Sequence, residues 1–152
     1  METTKIDWKQ ILRQLKLEYL KKEHPDFYKL SGGDRQKLKA YTDSTTNGLT
    51  TAIMDFLKYH KHYCNRINCI GINRLINGKL VYTPSTTRKG TADLNAIIKG
   101  KHVSIEVKCK ATKDRMSKEQ ERERKRVESA GGIYFVAIDM ESFINWYNQI
   151  FE

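Results

Sequence analysis

Two alternating runs around a short turn constrain the fold more than any other feature of this sequence. The runs TADLNAII and HVSIEVKC flank Lys99-Gly100, and apolar/polar alternation on both sides of a Gly-containing turn predicts a β-hairpin. A short loop makes one face of this ribbon uniformly apolar. The predicted pairs are Ile98 with Lys101, Ala96 with Val103, Leu94 with Ile105, and Ala92 with Val107. A slip of one residue would put Leu94 against Glu106, so the hydrophobic pattern selects the register.

The second face of this hairpin carries polar and charged residues. Asp93 is predicted to lie opposite Glu106, with Asn95 opposite Ser104 beside them. Lys108 comes two residues after Glu106 and therefore lies on the same side of the strand. Directly opposed side chains have Cβ atoms about 5 Å apart, where two like charges are destabilising.

A divalent cation would offset the repulsion between the two acids. Mg²⁺ binds one or two carboxylates together with waters and substrate phosphate oxygens. Such an ion would polarise a phosphodiester and acidify a bound water, while Lys108 would orient that water or stabilise charge in the transition state. The alternative is a solvated sheet face whose acids are neutralised by Lys108 and its neighbours. The charge pattern alone leaves both interpretations open.

The overall charge of the chain indicates a polyanionic partner. The 152 residues carry a net charge of +10 at a pI near 9.5. The stretch 99–126 contains eleven Lys or Arg against five Asp or Glu. The basic field is therefore concentrated beside the predicted hairpin, as expected of a protein that binds nucleic acid.

The composition predicts a cytoplasmic protein that has no membrane partner. No apolar run approaches the ~18 residues of a membrane span, and the first ten residues lack the apolar core of a signal peptide. The three cysteines are an odd number without disulfide-type density, so free thiols in a reducing compartment are expected. Cys109 shares the apolar side of its strand with Val107 and is expected to be buried.

The N-terminal third is predicted to form a helix and a connecting arm. Apolar residues at helical spacing predict an amphipathic helix over 6–22. From His24 to Asn47 this periodicity fails, which indicates a long connection with a short helix near 35–41. We therefore divide the chain into an arm over 1–46 and a main domain over 47–152.

A second helix and a second hairpin are predicted before the central one. Helical spacing resumes from Leu49, strand-like residues follow over 63–76, and Asn77-Gly78 is a favoured turn before a returning LVYT. The nearby set of His60, His62, Cys64 and Cys69 lacks the paired spacing of common zinc sites. We interpret those histidines as a helix end and those cysteines as part of the next strand.

The C-terminal third is predicted to form a helix, then a buried strand, and then a second helix. Ser117 and Gln120 form a capping-box pattern at the start of a charged helix, a role that is compatible with a second role for Gln120 in a site. Gly131-Gly132 ends that helix, IYFVAI suits a buried strand, and Asp139 caps the last helix. The expected core residues of the last helix are Phe143, Ile144, Tyr147 and Ile150.

The order of these motifs resembles a known nuclease family. GTAD, a spacer, IEVK, SKEQ and then AGGIYFVA are similar to the VRR-type (virus-type replication-repair) nuclease domain of the PD-(D/E)XK restriction-endonuclease-like superfamily. The match covers about 49–147 and is best from Gly90 onward. The resemblance implies an α/β restriction-endonuclease-like core, a mixed β-sheet flanked by helices, and metal-dependent cleavage of DNA phosphodiesters.

Motif positions of the family transfer to residues of this chain. The resemblance implies that Asp93, Glu106 and the main-chain carbonyl of Val107 bind Mg²⁺, for which Mn²⁺ can substitute, and that Lys108 and Gln120 complete the catalytic set. Many relatives have Pro where this chain has Ala92. Relatives often carry a Glu on the first helix of the domain, whereas this chain has Thr46 or Asn47 near that position. Asn47 as a weaker ligand, Asp55 as a substitute, and two acids plus water remain the alternatives.

The expected function is a DNA endonuclease of phage or mobile-element replication, recombination or repair, which includes structure-specific or junction-resolving enzymes. Resolvase-like nucleases of this fold often work as homodimers. The expected DNA-binding residues are Lys89, Lys110, Lys113, Arg115, Arg122, Arg124, Lys125 and Arg126. The alternatives are a non-catalytic nucleic-acid-binding protein that retains the fold, and RNA as the substrate.

Overall fold

The computed structural model describes residues 6–152 as an α/β fold. Its helices are α1 (Trp8–Glu23), α2 (Pro25–Leu30), α3 (Thr46–Tyr59), α4 (Lys118–Ser129) and α5 (Met140–Phe151). Its strands are β1 (Tyr63–Arg66), β2 (Ile72–Ile76), β3 (Lys79–Thr83), β4 (Leu94–Ile98), β5 (Lys101–Val107) and β6 (Ile133–Ala137). Short 3₁₀ turns lie at Gly33–Arg35 and Lys110–Thr112.

The strands form two separate sheets. The main sheet has the order β1-β4-β5-β6, with β5 and β6 parallel and the other neighbours antiparallel. Strands β2 and β3 form a two-stranded sheet of their own. The predicted α/β class, with a mixed sheet flanked by helices, is confirmed.

The predicted register of the β4–β5 hairpin is confirmed from Leu94 to Lys101, and the ladder ends before the predicted pair of Ala92 with Val107. Leu94 pairs with Ile105, Ala96 with Val103, and Ile98 with Lys101. The apolar side chains of this face are buried against α3, α5 and Leu12 of α1. Burial of this face therefore leaves the polar face of the same strands on the opposite side of the sheet, next to α4.

The N-terminal region departs from the sequence prediction in two places. Helix α2 lies inside the predicted connection over 24–47; it buries no residue, so apolar periodicity does not reveal it. The predicted helix over 35–41 is wrong, because the 3₁₀ turn ends at Arg35 and Gln36 already has extended backbone angles. Further along this segment, the Tyr41 hydroxyl donates a hydrogen bond to Asp55 on α3 at 2.7 Å. Such tertiary contacts override local helix propensity. Leu12 of α1 belongs to the same core as α3, and the domain boundary at residue 46 remains a prediction.

The last helix confirms most of its predicted core. Phe143, Ile144 and Tyr147 are buried, and the Asp139 side chain accepts a hydrogen bond from the Ser142 N–H at 2.8 Å. The prediction for Ile150 is wrong, since this side chain is 46% exposed. Phe151, one residue later, lies nearer the centre of the buried stripe and takes its place in the core.

Strand β6 is less buried than the run IYFVAI suggested. Only Tyr134 and Ala137 are fully buried within it, because β6 is an edge strand of the main sheet. Among the helices of residues 6–152, none combines the length and the apolar composition that a membrane crossing requires.

Candidate functional site

The centre of the candidate site is the carboxylate of Glu106. The β5 register turns this side chain towards the polar face, where it is only 2% exposed. Its Oε1 accepts a hydrogen bond from the Gln120 amide and lies 3.2 Å from Nζ of Lys108. Its Oε2 is buried and has no hydrogen-bond partner in the described part of the chain, residues 6–152. An ionised carboxylate with one unsatisfied buried oxygen is destabilising unless a cation or a proton reaches it.

Asp93 lies at the end of the β4–β5 ladder and is fixed from both sides. Its main-chain carbonyl accepts a hydrogen bond from the Ile67 N–H at 2.8 Å, beyond the end of β1. Its Oδ2 accepts one from the Val107 N–H at 2.9 Å, at the end of β5. Main-chain pairing ends at Leu94, so this side-chain contact holds Asp93 next to β5. Val107, whose carbonyl is the third predicted ligand, is thus in direct contact with the first.

The environment of Glu106 changes the acidity of its carboxyl group. Burial first, and the nearby Asp93 second, raise the pKa of Glu106 from its ordinary value of 4.5 to about 7. Lys108 lowers the pKa of Glu106, but by less than burial and Asp93 raise it. The Lys108 side chain is itself only 15% exposed. A buried acid with a strongly raised pKa beside a second acid and a lysine is typical of functional sites.

Gln120 forms the predicted helix cap and also contacts Glu106. It forms a capping box with Ser117, since its Oε1 accepts from the Ser117 N–H at 2.8 Å and its N–H donates to Ser117 Oγ at 3.2 Å. Its amide nitrogen donates to Glu106 across the gap between α4 and β5. Gly90 allows the preceding loop to approach this helix start, because a Cβ there would lie 2.4 Å from the Glu119 carbonyl oxygen. Helix α4 is thereby held against the site.

Tyr134 belongs to the same polar face and was missed in the sequence. It pairs with Ser104 in the parallel β5–β6 ladder, two residues from the level of Glu106. Its hydroxyl is buried without a hydrogen-bond partner, and burial followed by the charges of Glu106 and Asp93 raises its pKa. In the sequence, Tyr134 stands inside an apolar run, and only the parallel pairing reveals which face it occupies.

The structure also locates the residues considered for the missing helix carboxylate. Asn47 accepts a hydrogen bond from Arg66 at 3.1 Å, whereas Asp55 is engaged by the Tyr41 hydroxyl and lies 3.9 Å from Lys39. Within residues 6–152, no three His, Cys, Asp or Glu side chains form a group that could hold a metal ion. Asp55 therefore does not join Asp93 and Glu106 in such a group.

A basic pocket of about 320 Å³ lies beside the site, between α4 and the loop that precedes Gly90. Its lining residues are Arg88, Lys89, Glu119, Arg122 and Arg126. Three of the predicted DNA-binding residues thus meet in one place. Arg88 was missed, although it stands next to Lys89 in the sequence. Glu123 pairs with Arg88 at 3.6 Å and with Arg126 at 3.2 Å, which orders the pocket wall.

The other predicted DNA-binding residues lie elsewhere on the surface. Arg124 pairs with Glu128 at 3.2 Å and, by helical geometry, faces away from Arg122 and Arg126. Lys125 is exposed on α4. The remaining three, which are exposed around and after the second 3₁₀ turn, are Lys110, Lys113 and Arg115.

Of the two cysteines predicted for the strand after α3, Cys64 lies in β1, whereas the prediction for Cys69 is wrong because β1 ends at Arg66. The third cysteine and the two histidines after α3 have other partners. Cys109 is buried, as predicted, and its thiol contacts the Asp43 carbonyl at 3.1 Å. His60 Nδ1 lies 2.9 Å from the Phe56 carbonyl oxygen at the end of α3. His62 Nε2 lies 2.7 Å from the Tyr147 hydroxyl.

Comparisons of the chain with protein-family models, with curated proteins and with solved structures gave no match.

Proposed function

We propose that this protein is a metal-dependent DNA endonuclease whose site is formed by Asp93, Glu106, Lys108 and Gln120. The observation that carries the proposal is the buried Glu106 carboxylate, which has one unpartnered oxygen and a raised pKa beside Asp93. The D…ExK spacing of the sequence and the basic pocket next to the site support the same proposal. A role in replication, recombination or repair of phage or mobile-element DNA follows from the family resemblance alone.

The donor set fits a divalent cation. Asp93, Glu106 and the Val107 carbonyl offer oxygen atoms only, which are the ligands that Mg²⁺ and Mn²⁺ prefer. The Glu106 Oε2 atom, which has no hydrogen-bond partner, is available as a metal ligand inside the protein. When bound, such an ion supplies Lewis-acid polarisation of the phosphodiester and a more acidic water.

The protein's own groups have distinct tasks in this proposal. Lys108 keeps a positive charge 3.2 Å from Glu106 Oε1, where it would meet a phosphate oxygen or orient the attacking water. Gln120 holds the Glu106 carboxylate in one orientation and is itself held by the helix cap. Asp93 is positioned by the Val107 N–H.

The basic pocket would bind the phosphate backbone of the substrate. Arg88, Lys89, Arg122 and Arg126 line it, and guanidinium groups bind phosphate oxygens in a bidentate manner. Such contacts position the duplex without reading its sequence. They also make affinity fall steeply as the salt concentration rises.

A second candidate function is non-catalytic binding of nucleic acid. It is favoured by the absence of a third carboxylate from the site within residues 6–152. It is also favoured by Asn47, which stands near the position of the family's helix Glu and bonds to Arg66. This candidate retains the basic pocket and predicts binding without cleavage.

Cleavage assays on matched lysine variants separate the two functions. Wild type, Lys108→Ala and Lys101→Ala would be incubated with supercoiled, linear and branched DNA, and with RNA, in Mg²⁺, Mn²⁺ or EDTA. Lys101 is the control, because it lies at the exposed opposite end of the same strand. We expect wild type and Lys101→Ala to cut DNA in either metal, and Lys108→Ala to be slower by about 100-fold or more.

Binding measured alongside cleavage decides between the candidates. If wild type and Lys108→Ala were equally inert in every metal while both bound DNA, the nuclease proposal would be lost and the binding protein retained. Cleavage of RNA alone would contradict the substrate assignment and leave the metal site in place.

A further inference from the structure

The β2–β3 hairpin is an exposed ribbon that the carboxylate site does not explain. Its strands pair only with each other and lie outside the main sheet. Every residue of β2 is exposed, as are all but the last of β3. The large apolar side chains on its surface are Ile72, Leu75, Ile76, Leu80, Val81 and Tyr82. A two-stranded hairpin without a covering layer is only marginally stable in water, so this apolar surface points to a partner.

The tip of the ribbon carries the most exposed apolar pair. Leu75 lies directly opposite Leu80, and these side chains are 74% and 71% exposed. The turn between the strands has positive φ at both Asn77 and Gly78, which is the tight geometry that keeps paired strands in register. The two leucines therefore project together from one face, just behind the turn.

The charge of the surrounding sequence indicates what the partner is. Between Asp55 and Asp93 the chain contains seven Lys or Arg and no Asp or Glu. Two of these cations, Arg74 and Lys79, are exposed on the hairpin itself. Arg74 and Lys79 lie on the face of the ribbon opposite to Leu75 and Leu80. The positive charge of this segment complements a polyanion, whereas a second copy of the chain docking here would bring like charges together.

The base of the hairpin opens onto the carboxylate site. A pocket of about 440 Å³ is lined by Arg66, Ile67, Asn68, Cys69, Ile70 and Asp93. Ile70 leads into β2, and the Thr87 hydroxyl donates to the Asn68 carbonyl at 3.2 Å, which closes the hairpin base. A nucleic acid bound at Asp93 would therefore continue onto the ribbon.

We propose that the β2–β3 hairpin binds unpaired or unstacked bases of branched DNA beside the carboxylate site. This inference rests on the proposed function and narrows the substrate to DNA with a junction between duplex and single strand. Apolar side chains such as Leu75 and Leu80 can insert between bases, and the cost of unstacking is smallest where stacking is already broken. The exposed Tyr82 ring provides a stacking surface.

Equilibrium binding in EDTA tests the proposal without requiring cleavage. Fluorescence anisotropy would compare a forked DNA with a fully paired duplex of equal nucleotide number, at one fixed ionic strength. The variant is Leu75→Thr/Leu80→Thr, since threonine keeps strand propensity and removes the apolar tip. The control is Leu30→Thr, an 89% exposed leucine on α2. We expect wild type and control to prefer the fork by about tenfold, and the double variant to lose this preference while keeping its duplex affinity.

Each alternative result has a defined meaning. Equal affinity of wild type for fork and duplex, or an unchanged preference in the double variant, overturns the inference even if the protein cuts DNA. Loss of a dimer in the double variant during sedimentation, with DNA preference intact, overturns it in favour of a contact between copies. A preference for forked DNA without any cleavage supports the inference about the hairpin and contradicts only the nuclease proposal.

Discussion

The two hairpins of this protein start from similar local chemistry and end in different environments. Each has a two-residue turn with positive φ at both positions, Asn77-Gly78 in one and Lys99-Gly100 in the other. The β4–β5 hairpin lies in the middle of the main sheet, with one face in the core. Among residues 6–152, nothing covers either face of the β2–β3 hairpin.

The difference shows what turns a hairpin into a site. In β4–β5, burial of one face forces the polar residues onto the other face, where α4 limits access to water. Glu106 is consequently buried, and the pKa of its carboxyl group is raised. In β2–β3 the side chains remain in solvent, so the ribbon cannot alter the chemistry of a carboxylate and is suited only to contact a partner.

Truncation of an apolar side chain should lower the free energy of unfolding much more in the β4–β5 hairpin than in the β2–β3 hairpin. This is the largest difference that we expect between the two. Ile105 on β5 is fully buried, and Ile105→Ala should lower the free energy of unfolding by about 3 kcal/mol. Leu80→Ala on β3 should change it by less than about 0.5 kcal/mol, because this side chain is already in water. Urea unfolding followed by circular dichroism measures both. A comparable loss in the two variants would mean that the β2–β3 hairpin is packed in solution.

The pH dependence of stability should arise from the β4–β5 hairpin. The folded-state pKa of Glu106 is about 7 against an ordinary 4.5, so folding favours the protonated form. The stabilisation is complete below about pH 4.5 and is lost as the pH rises through about 7. The loss is on the order of 3 kcal/mol. The span Ile72–Thr83 contains no acid or histidine and makes no such contribution.

Thermal unfolding in EDTA between pH 5 and pH 8 would measure this effect. Wild type should lose stability over the range more steeply than Glu106→Gln, which cannot ionise at that position. Parallel curves for the two proteins would show that Glu106 titrates normally and is not desolvated.

A small effect on stability is also expected at Asp93. Asp93→Asn keeps an oxygen acceptor for the Val107 N–H, so the free energy of unfolding without metal should change by less than about 1 kcal/mol. Mg²⁺ binding measured by calorimetry should nevertheless be lost, since one of two carboxylates is gone. Asp93→Ala is the comparison variant, because it also removes the acceptor. A large loss of stability in Asp93→Asn would identify Asp93 as structural.

Local patterns in the sequence predicted much of the fold. Alternation gave the register of β4 with β5, and the capping residues Ser117 and Asp139 lie where their helices start. The predicted helix over 35–41 and the burial of Ile150 were wrong. The first depended on contacts with α3, and the second on which of the neighbouring residues Ile150 and Phe151 faces the core.

The candidate site was predictable only in part. The hydrophobic pattern specifies the register from Leu94 with Ile105 onward, and Asp93 and Glu106 are the residues that adjoin this pair. Tyr134 and Arg88 could not be assigned in this way. Tyr134 meets the site through parallel pairing with a strand far away in sequence, and Arg88 meets Arg126 because α4 packs beside the loop.

The sequence by itself determined the turns, the strand pairs within each hairpin and the helix caps, because these depend on residues close together along the chain. Only the tertiary structure decided which hairpin entered the core. It also brought Gln120 onto Glu106 and left β2–β3 outside the main sheet. These outcomes depend on which apolar surfaces find partners elsewhere in the chain, and a local pattern carries no information about that competition.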